Sequence, residues 1–397
     1  MVALFHPSSD SLNCDAMTSP SPSVEAAVSK SPASARLTAL DAFRGAAMLL
    51  MVLVNNGGGP SSYGQLEHSR WNGLTLTDTV FPSFLWIVGV AITLSLGKRL
   101  QSGIPASRLV PQIFRRAAIL YLLGFALYLA PHFDLSHSRL LGVLQRIGIC
   151  YLVASLLYLF TGMRTQIAAM AGLLILYTAL MMWGPVPGYG HGNLTVEGNF
   201  AHYVDHMLLG AHNYASTKTW DPEGIISTLT AIVTALLGIM AGYILRLKST
   251  LTKRIGWLLL TGALLFCAGE LWSLWMPLNK KLWSPSFTLV MAGIDFMILA
   301  AALWLVDVRG YKKIVKPLLI VGMNSIAVYL ASEVLAELLD DIHIGREGAS
   351  LHDLLYNGFF APLASVENAS LLWALAFTLL MYLWAYFLYK KSWFWRI

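Results

Sequence analysis

Apolar runs close to twenty residues long recur from about residue 40 to about residue 390. No other feature of the chain restricts its folding so far. A helix of that length crosses the ~30 Å hydrocarbon layer of a bilayer, and it satisfies its own backbone hydrogen bonds while doing so. Charge agrees with this reading. Only 12% of the 397 residues are Asp, Glu, Lys or Arg, against about 25% in an average soluble domain. We therefore expect an all-α, polytopic integral membrane protein of about ten transmembrane helices. Their approximate bounds are 40–56, 77–97, 113–131, 142–161, 165–184, 224–245, 254–275, 286–306, 316–338 and 369–390. Residues 1–36, rich in Ser, Pro and Ala without an apolar stretch, are expected to form a disordered N-terminal tail. Residues 37–397 then make one transmembrane domain.

The basic residues test this count. With the N-terminus inside, nineteen Lys and Arg fall in inner segments and six in outer ones; Arg44 and Arg146 fall within spans. Positive charge concentrates on cytoplasmic loops, so both termini are expected in the cytoplasm. The net charge of +6 then reflects topology, and no nucleic-acid partner is expected. Three cysteines without a CxxC or Cys/His spacing give neither a disulfide framework nor a metal site. Walker A and GxGxxG patterns are absent, which excludes a nucleotide-binding fold of those types.

Polar residues gather where the first two spans meet their connecting loop: Asn55, Asn56, His68, Asn72 and Asp78. His68 leads, because histidine exchanges protons most readily near neutral pH and the flanking glycines permit close approach of a ligand. The alternative is an interfacial histidine that bonds a neighbouring loop. Asp41 and Arg44, three apart on one helical face, read as a structural ion pair or as an anion contact. Arg146 sits inside a span and is expected to pair with Asp78, Asp221 or Asp295, or to bind an anionic group. Asn324, Ser325 and Tyr329 read as interhelical hydrogen bonds. A long outer loop, residues 185–223, is expected to cap the outer face.

At these residues the chain resembles the heparan-α-glucosaminide N-acetyltransferase family and its bacterial relatives. The resemblance runs in order through Leu40-Asp-Ala-Phe-Arg-Gly, Val54-Asn-Asn-Gly-Gly-Gly, His68-Ser-Arg-Trp-Asn-Gly-Leu-Thr-Leu-Thr-Asp, Phe81-Pro-Ser-Phe-Leu-Trp and Gly142-Val-Leu-Gln-Arg-Ile-Gly. It continues through Trp220-Asp-Pro-Glu-Gly, Lys281-Leu-Trp-Ser-Pro-Ser-Phe and Gly322-Met-Asn-Ser-Ile-Ala-Val-Tyr. It departs at Asn56, where the family usually has an aromatic residue, and at Pro82-Ser83, where it often has Pro-Trp. It implies an enzyme that moves acetyl from cytoplasmic acetyl-CoA to the amino group of a glucosamine-type sugar at the extracytoplasmic face of a bacterial inner membrane. The family's active-site histidine falls on His68, as general base or nucleophile, and its companion asparagine on Asn55, a candidate oxyanion donor. Arg44, Arg115, Arg116, Arg146, Arg246 and Lys248 are the candidates for the phosphates of CoA, and Asn72, Asp78, Trp220, Asp221 and Glu223 for the acceptor side. The expected partners are acetyl-CoA, an amino-sugar or glycan acceptor and the lipid bilayer, and a homodimer is admitted. The alternatives are an O-acyltransferase of a surface polysaccharide and a sugar transporter.

Overall fold

The computed structural model describes residues 37–130, 133–344 and 348–395. The expected disordered tail, 1–36, lies outside the described residues. Nine helices are long and apolar enough to cross a membrane among the described residues, and a bent pair supplies a tenth. They are α1 (Thr38–Asn55), α2 (Leu76–Gln101), α3 (Ala106–Leu129), α4 (Val143–Phe160) and α5 (Met163–Trp183). After a short helix α6 (Phe200–Leu209) come α7 (Ile225–Leu245), α8 (Leu251–Ser273) and α9 (Pro285–Leu303, extended by a π turn to Val308). The bent pair is α10 (Lys316–Met323) with α11 (Ser325–Asp341), followed by the short α12 (Leu351–Leu355) and by α13 (Val366–Lys390).

The helix starts follow from local chemistry. Thr75 caps α2 in a capping box with Asp78, and Ser284 caps α9 with Pro285 in its first turn. The expected spans recur within a few residues, with two differences. Helix α3 begins at Ala106, directly after Pro105, seven residues before the expected 113, so Arg108, Arg115 and Arg116 are helical. The expected single span 316–338 is instead broken, with a bend of 78° at Asn324. The physical reason lies in the Asn324 side chain, which serves the C-terminal segment rather than a neighbouring helix. Its Nδ2 donates to Trp393 O at 3.0 Å, and its Oδ1 accepts from Trp395 N at 3.1 Å.

Helices α2 and α7 form the centre, with 78% and 83% of their apolar windows buried, whereas α3, α5, α8 and α13 bury a third or less and form the rim. Alternating direction brings the loops after α1, α3, α5, α8 and α11 to one end of the bundle. Contacts between them bear this out. Gly73 N donates to Leu278 O at 2.8 Å, Trp71 Nε1 to Leu194 O at 2.9 Å and Leu140 N to His212 O at 3.3 Å, and Tyr63 OH reaches Asn368 Oδ1 in the first turn of α13 at 2.8 Å. This end is called the His68 face below.

Candidate active site

The loop from Asn56 to Thr75 folds back over the start of α2, and Asp78 fixes it there. Asp78 is 1% exposed, and its two oxygens have separate tasks. Oδ2 accepts from Ser69 N at 3.1 Å, Thr75 N at 3.2 Å and Thr75 Oγ1 at 3.0 Å. Oδ1 stands 2.8 Å from His68 Nδ1. A carboxylate can only accept, so the proton of a neutral His68 ring lies on Nδ1 and Nε2 keeps its lone pair. The imidazole is itself half-exposed. Asp78, expected on the acceptor side, is thus the group that orients His68.

A lysine from a distant loop completes this group. Lys280 Nζ lies 3.2 Å from His68 Nδ1, 3.4 Å from His68 Nε2 and 3.9 Å from Asp78 Oδ1. Burial pulls its ammonium below the ordinary lysine range, and the nearby Asp78 and Glu223 charges restore only part of the shift. The loop carrying it is tied to the His68 loop on both sides. Asn279 Nδ2 donates to Asn72 Oδ1 at 3.1 Å, and Lys281 Nζ to Arg70 O at 2.7 Å. Asn72, an expected acceptor contact, therefore also serves as a loop tie.

Beside this group lies a buried ionic cluster centred on Arg139. Its Nε and Nη2 grip Asp221 at 2.7 and 2.5 Å, a bidentate pair, and Nη2 also reaches Glu223 Oε2 at 2.5 Å. The guanidinium stacks on Tyr214 at 4.4 Å from the ring centre. Burial pushes the Glu223 carboxyl up, but Arg139, Arg146 and Lys280 outweigh that and hold it below its ordinary range. Asp221 and Glu223 were expected to face the acceptor; the structure commits them to Arg139. Trp220, likewise expected there, is buried and packs edge-on against Trp71 at 5.7 Å. Behind them Asp205 accepts from Ile225 N at 2.9 Å, and burial raises its carboxyl to about 7 against that bond.

Arg146 is 1% exposed and pairs with none of the three expected aspartates. It donates to Gly224 O at 3.2 Å and to Ser227 Oγ, and it lies over the Trp283 ring at 5.0 Å, leaving Nε and Nη1 without a partner. Asp295 instead accepts from Ser83 Oγ at 2.5 Å. Asn55 ends α1 on the His68 face, where its side chain bonds the Glu333 carboxyl of α11 rather than His68.

The remaining candidates lie toward the opposite end. Arg44 bonds Asp41 at 2.9 Å, the expected ion pair. Arg246 is engaged inside the bundle, donating to Thr93 O at 3.1 Å, Gly97 O at 3.2 Å and Tyr158 OH at 2.7 Å, while Lys248 is exposed. Arg115 and Arg116 line a cavity of about 380 Å³ together with Arg99, Gln112 and Tyr151, and Arg116 stacks on Tyr151 at 4.7 Å. Three guanidinium groups around one cavity suit an anionic phosphate ligand.

His68 is the candidate the sequence singles out; the structure adds Lys280 beside it, Arg139 in the ionic cluster and Glu333 against Asn55. The first two lie in loops, and the third is a carboxylate inside an expected span, itself a signal.

Residues 36–190 match the family model described as heparan-alpha-glucosaminide N-acetyltransferase, catalytic. The protein named heparan-alpha-glucosaminide N-acetyltransferase in Mus musculus is 32% identical, and its counterpart in Homo sapiens 31%. Each alignment covers 91% of this chain and 60% of the relative. The chain therefore spans about three fifths of the length of these curated relatives.

Proposed function

We propose that the chain, similar to heparan-alpha-glucosaminide N-acetyltransferases over 91% of its length, transfers acetyl from acetyl-CoA to the amino group of a glucosamine-type sugar. One observation carries the reading: a half-exposed histidine whose Nδ1 faces a buried carboxylate at 2.8 Å. That arrangement presents Nε2 as a base toward the His68 face. The acceptor nitrogen attacks the thioester carbonyl carbon, and His68 Nε2 takes a proton from that nitrogen. The carbonyl π pair moves onto oxygen. On collapse the C–S bond breaks, and the leaving thiolate receives the proton from His68. Amide and free CoA result, with no net change in the enzyme. Asp78 holds the ring in one tautomer and stabilises the imidazolium that forms between the two proton transfers.

The acceptor binds at the His68 face, which is extracytoplasmic in this reading. The excess of Lys and Arg in the segments at the opposite end supports that orientation. Acetyl-CoA arrives from the cytoplasm, and the Arg99–Arg115–Arg116 cavity captures its phosphates. The test is acetyl transfer from labelled acetyl-CoA to glucosamine in detergent, wild type beside His68→Ala, with folding checked by size-exclusion. Transfer by the wild type and its loss in a monodisperse His68→Ala protein is the expected result. Equal transfer in both would remove His68 from the chemistry.

A further inference from the structure

The transfer places negative charge on the acetyl carbonyl oxygen, and an acyltransferase site needs a fixed donor aimed at that charge. Asn55 is the sequence candidate for this task; Glu333 engages one donor of its amide, and a second, charged donor stands beside the His68 ring. Resting on the acetyltransferase reading above, we propose that Lys280 is a catalytic residue of the transfer, its ammonium donating to the oxyanion that forms as the acceptor nitrogen attacks beside His68.

Three observations lead there. The first is position. Lys280 Nζ is nearly equidistant from the two ring nitrogens, at 3.2 and 3.4 Å. It therefore sits beside the ring and off the line of the Nε2 lone pair, which stays open for the acceptor's proton. A thioester attacked by an acceptor nitrogen that is bonded to Nε2 can turn its carbonyl oxygen toward Nζ, 3.4 Å from that ring nitrogen. The second is rigidity. Residues on either side of Lys280 are anchored, Asn279 to Asn72 and Lys281 to Arg70. Asn279 also closes the turn before α9, where its Oδ1 accepts from Leu282 N at 2.9 Å and its N donates to the cap Ser284 Oγ at 3.1 Å. A donor fixed in this way has little reorganisation left to undergo at the moment of reaction. The third is charge. Asp78 Oδ1 at 3.9 Å and the nearby Glu223 both favour the ammonium form, yet neither consumes it in a close ion pair. Its near contacts are the two His68 ring nitrogens at 3.2 and 3.4 Å, and of the three ammonium N–H donors at least one is left for a ligand.

In the reaction the Lys280 proton stays on Nζ. The lysine accepts neither the acceptor's proton nor the acetyl group, so the balance of the transfer is unchanged. It stabilises charge that exists in the tetrahedral intermediate and not in the thioester. Its removal therefore appears in kcat, with little effect on KM.

The experiment measures kcat and KM for both substrates in Lys280→Met and Lys280→Arg beside wild type, with size-exclusion and thermal melting as folding controls. Lys280→Met should melt with the wild type and lose about 10²–10³-fold in kcat, with both KM values within about threefold. Lys280→Arg keeps the charge and a donor, and should recover a tenth or more of the lost rate. A Lys280→Met enzyme with wild-type kcat, or one in which only KM rises, overturns the inference and leaves the acetyltransferase reading standing. An inactive Lys280→Arg that is as well folded as an active wild type overturns it too. A wild-type chain that transfers nothing to glucosamine removes the reading and this inference with it.

Discussion

Asp78 joins the helix start to the candidate base through its two oxygens. Its Oδ2 closes the capping box at the start of α2, and its Oδ1 takes the His68 ring. The two roles separate in Asp78→Asn. Asparagine at this third position of the capping box keeps an oxygen that accepts from Thr75 N, so the loop and α2 should survive. An amide, however, cannot both accept from Nδ1–H and stabilise the imidazolium. We expect kcat to fall about 10²–10⁴-fold by analogy with other His–carboxylate pairs, with the size-exclusion profile unchanged. A rate within about threefold of wild type would reduce Asp78 to a cap. His68 was legible because its whole motif lies within one short stretch. Asp78 was legible as polar but assigned to the acceptor, because ten residues of sequence do not reveal that the loop folds back onto its own helix start. Lys280 was not legible at all. It is 212 residues from His68, and a lysine in a Lys-Lys pair of a loop looks like any other surface charge.

Element packing rests on small residues. Where α1 crosses α10, a Cβ built on Gly45 would run into the backbone of Leu318, and one on Gly322 into the backbone of Asp41. The two helices meet backbone to backbone, as small residues allow in membrane bundles. Gly45→Ala should therefore cost about 1–3 kcal/mol through overpacking, read as a lower midpoint of thermal aggregation in detergent. Gly322→Ala should add less than its single effect, since both relieve the same contact. A midpoint equal to wild type in Gly45→Ala would show that the crossing is loosely held. Span positions were legible because hydropathy measures what a bilayer selects. The break at Asn324 was not. The apolar run is continuous through it, and the cause is a pair of hydrogen bonds to Trp393 and Trp395, about seventy residues away.

For the whole molecule, the bundle places an ionic, histidine-bearing face at one end and an arginine-lined cavity at the other. Helix α2 connects them and can be used as a ruler. Asp78 and Arg99 both lie on it, and the rise between them is about 32 Å at 1.5 Å per residue. From acetyl carbon to nearest phosphorus, CoA has about fourteen bonds, a reach of roughly 16 Å at peptide-like extension. A donor whose thioester touches His68 therefore cannot keep its diphosphate among Arg99, Arg115 and Arg116. In the proposed reading the diphosphate is therefore captured at one station and the thioester reacts at another, with the donor moving between them. Replacing both Arg115 and Arg116 by Gln should raise KM for acetyl-CoA about tenfold or more, from the loss of charge-assisted contacts. At saturating donor kcat should stay within about threefold. A fall in kcat with KM unchanged would mean that those arginines hold the donor while it reacts, and that the bundle shortens during turnover to bring its two ends together.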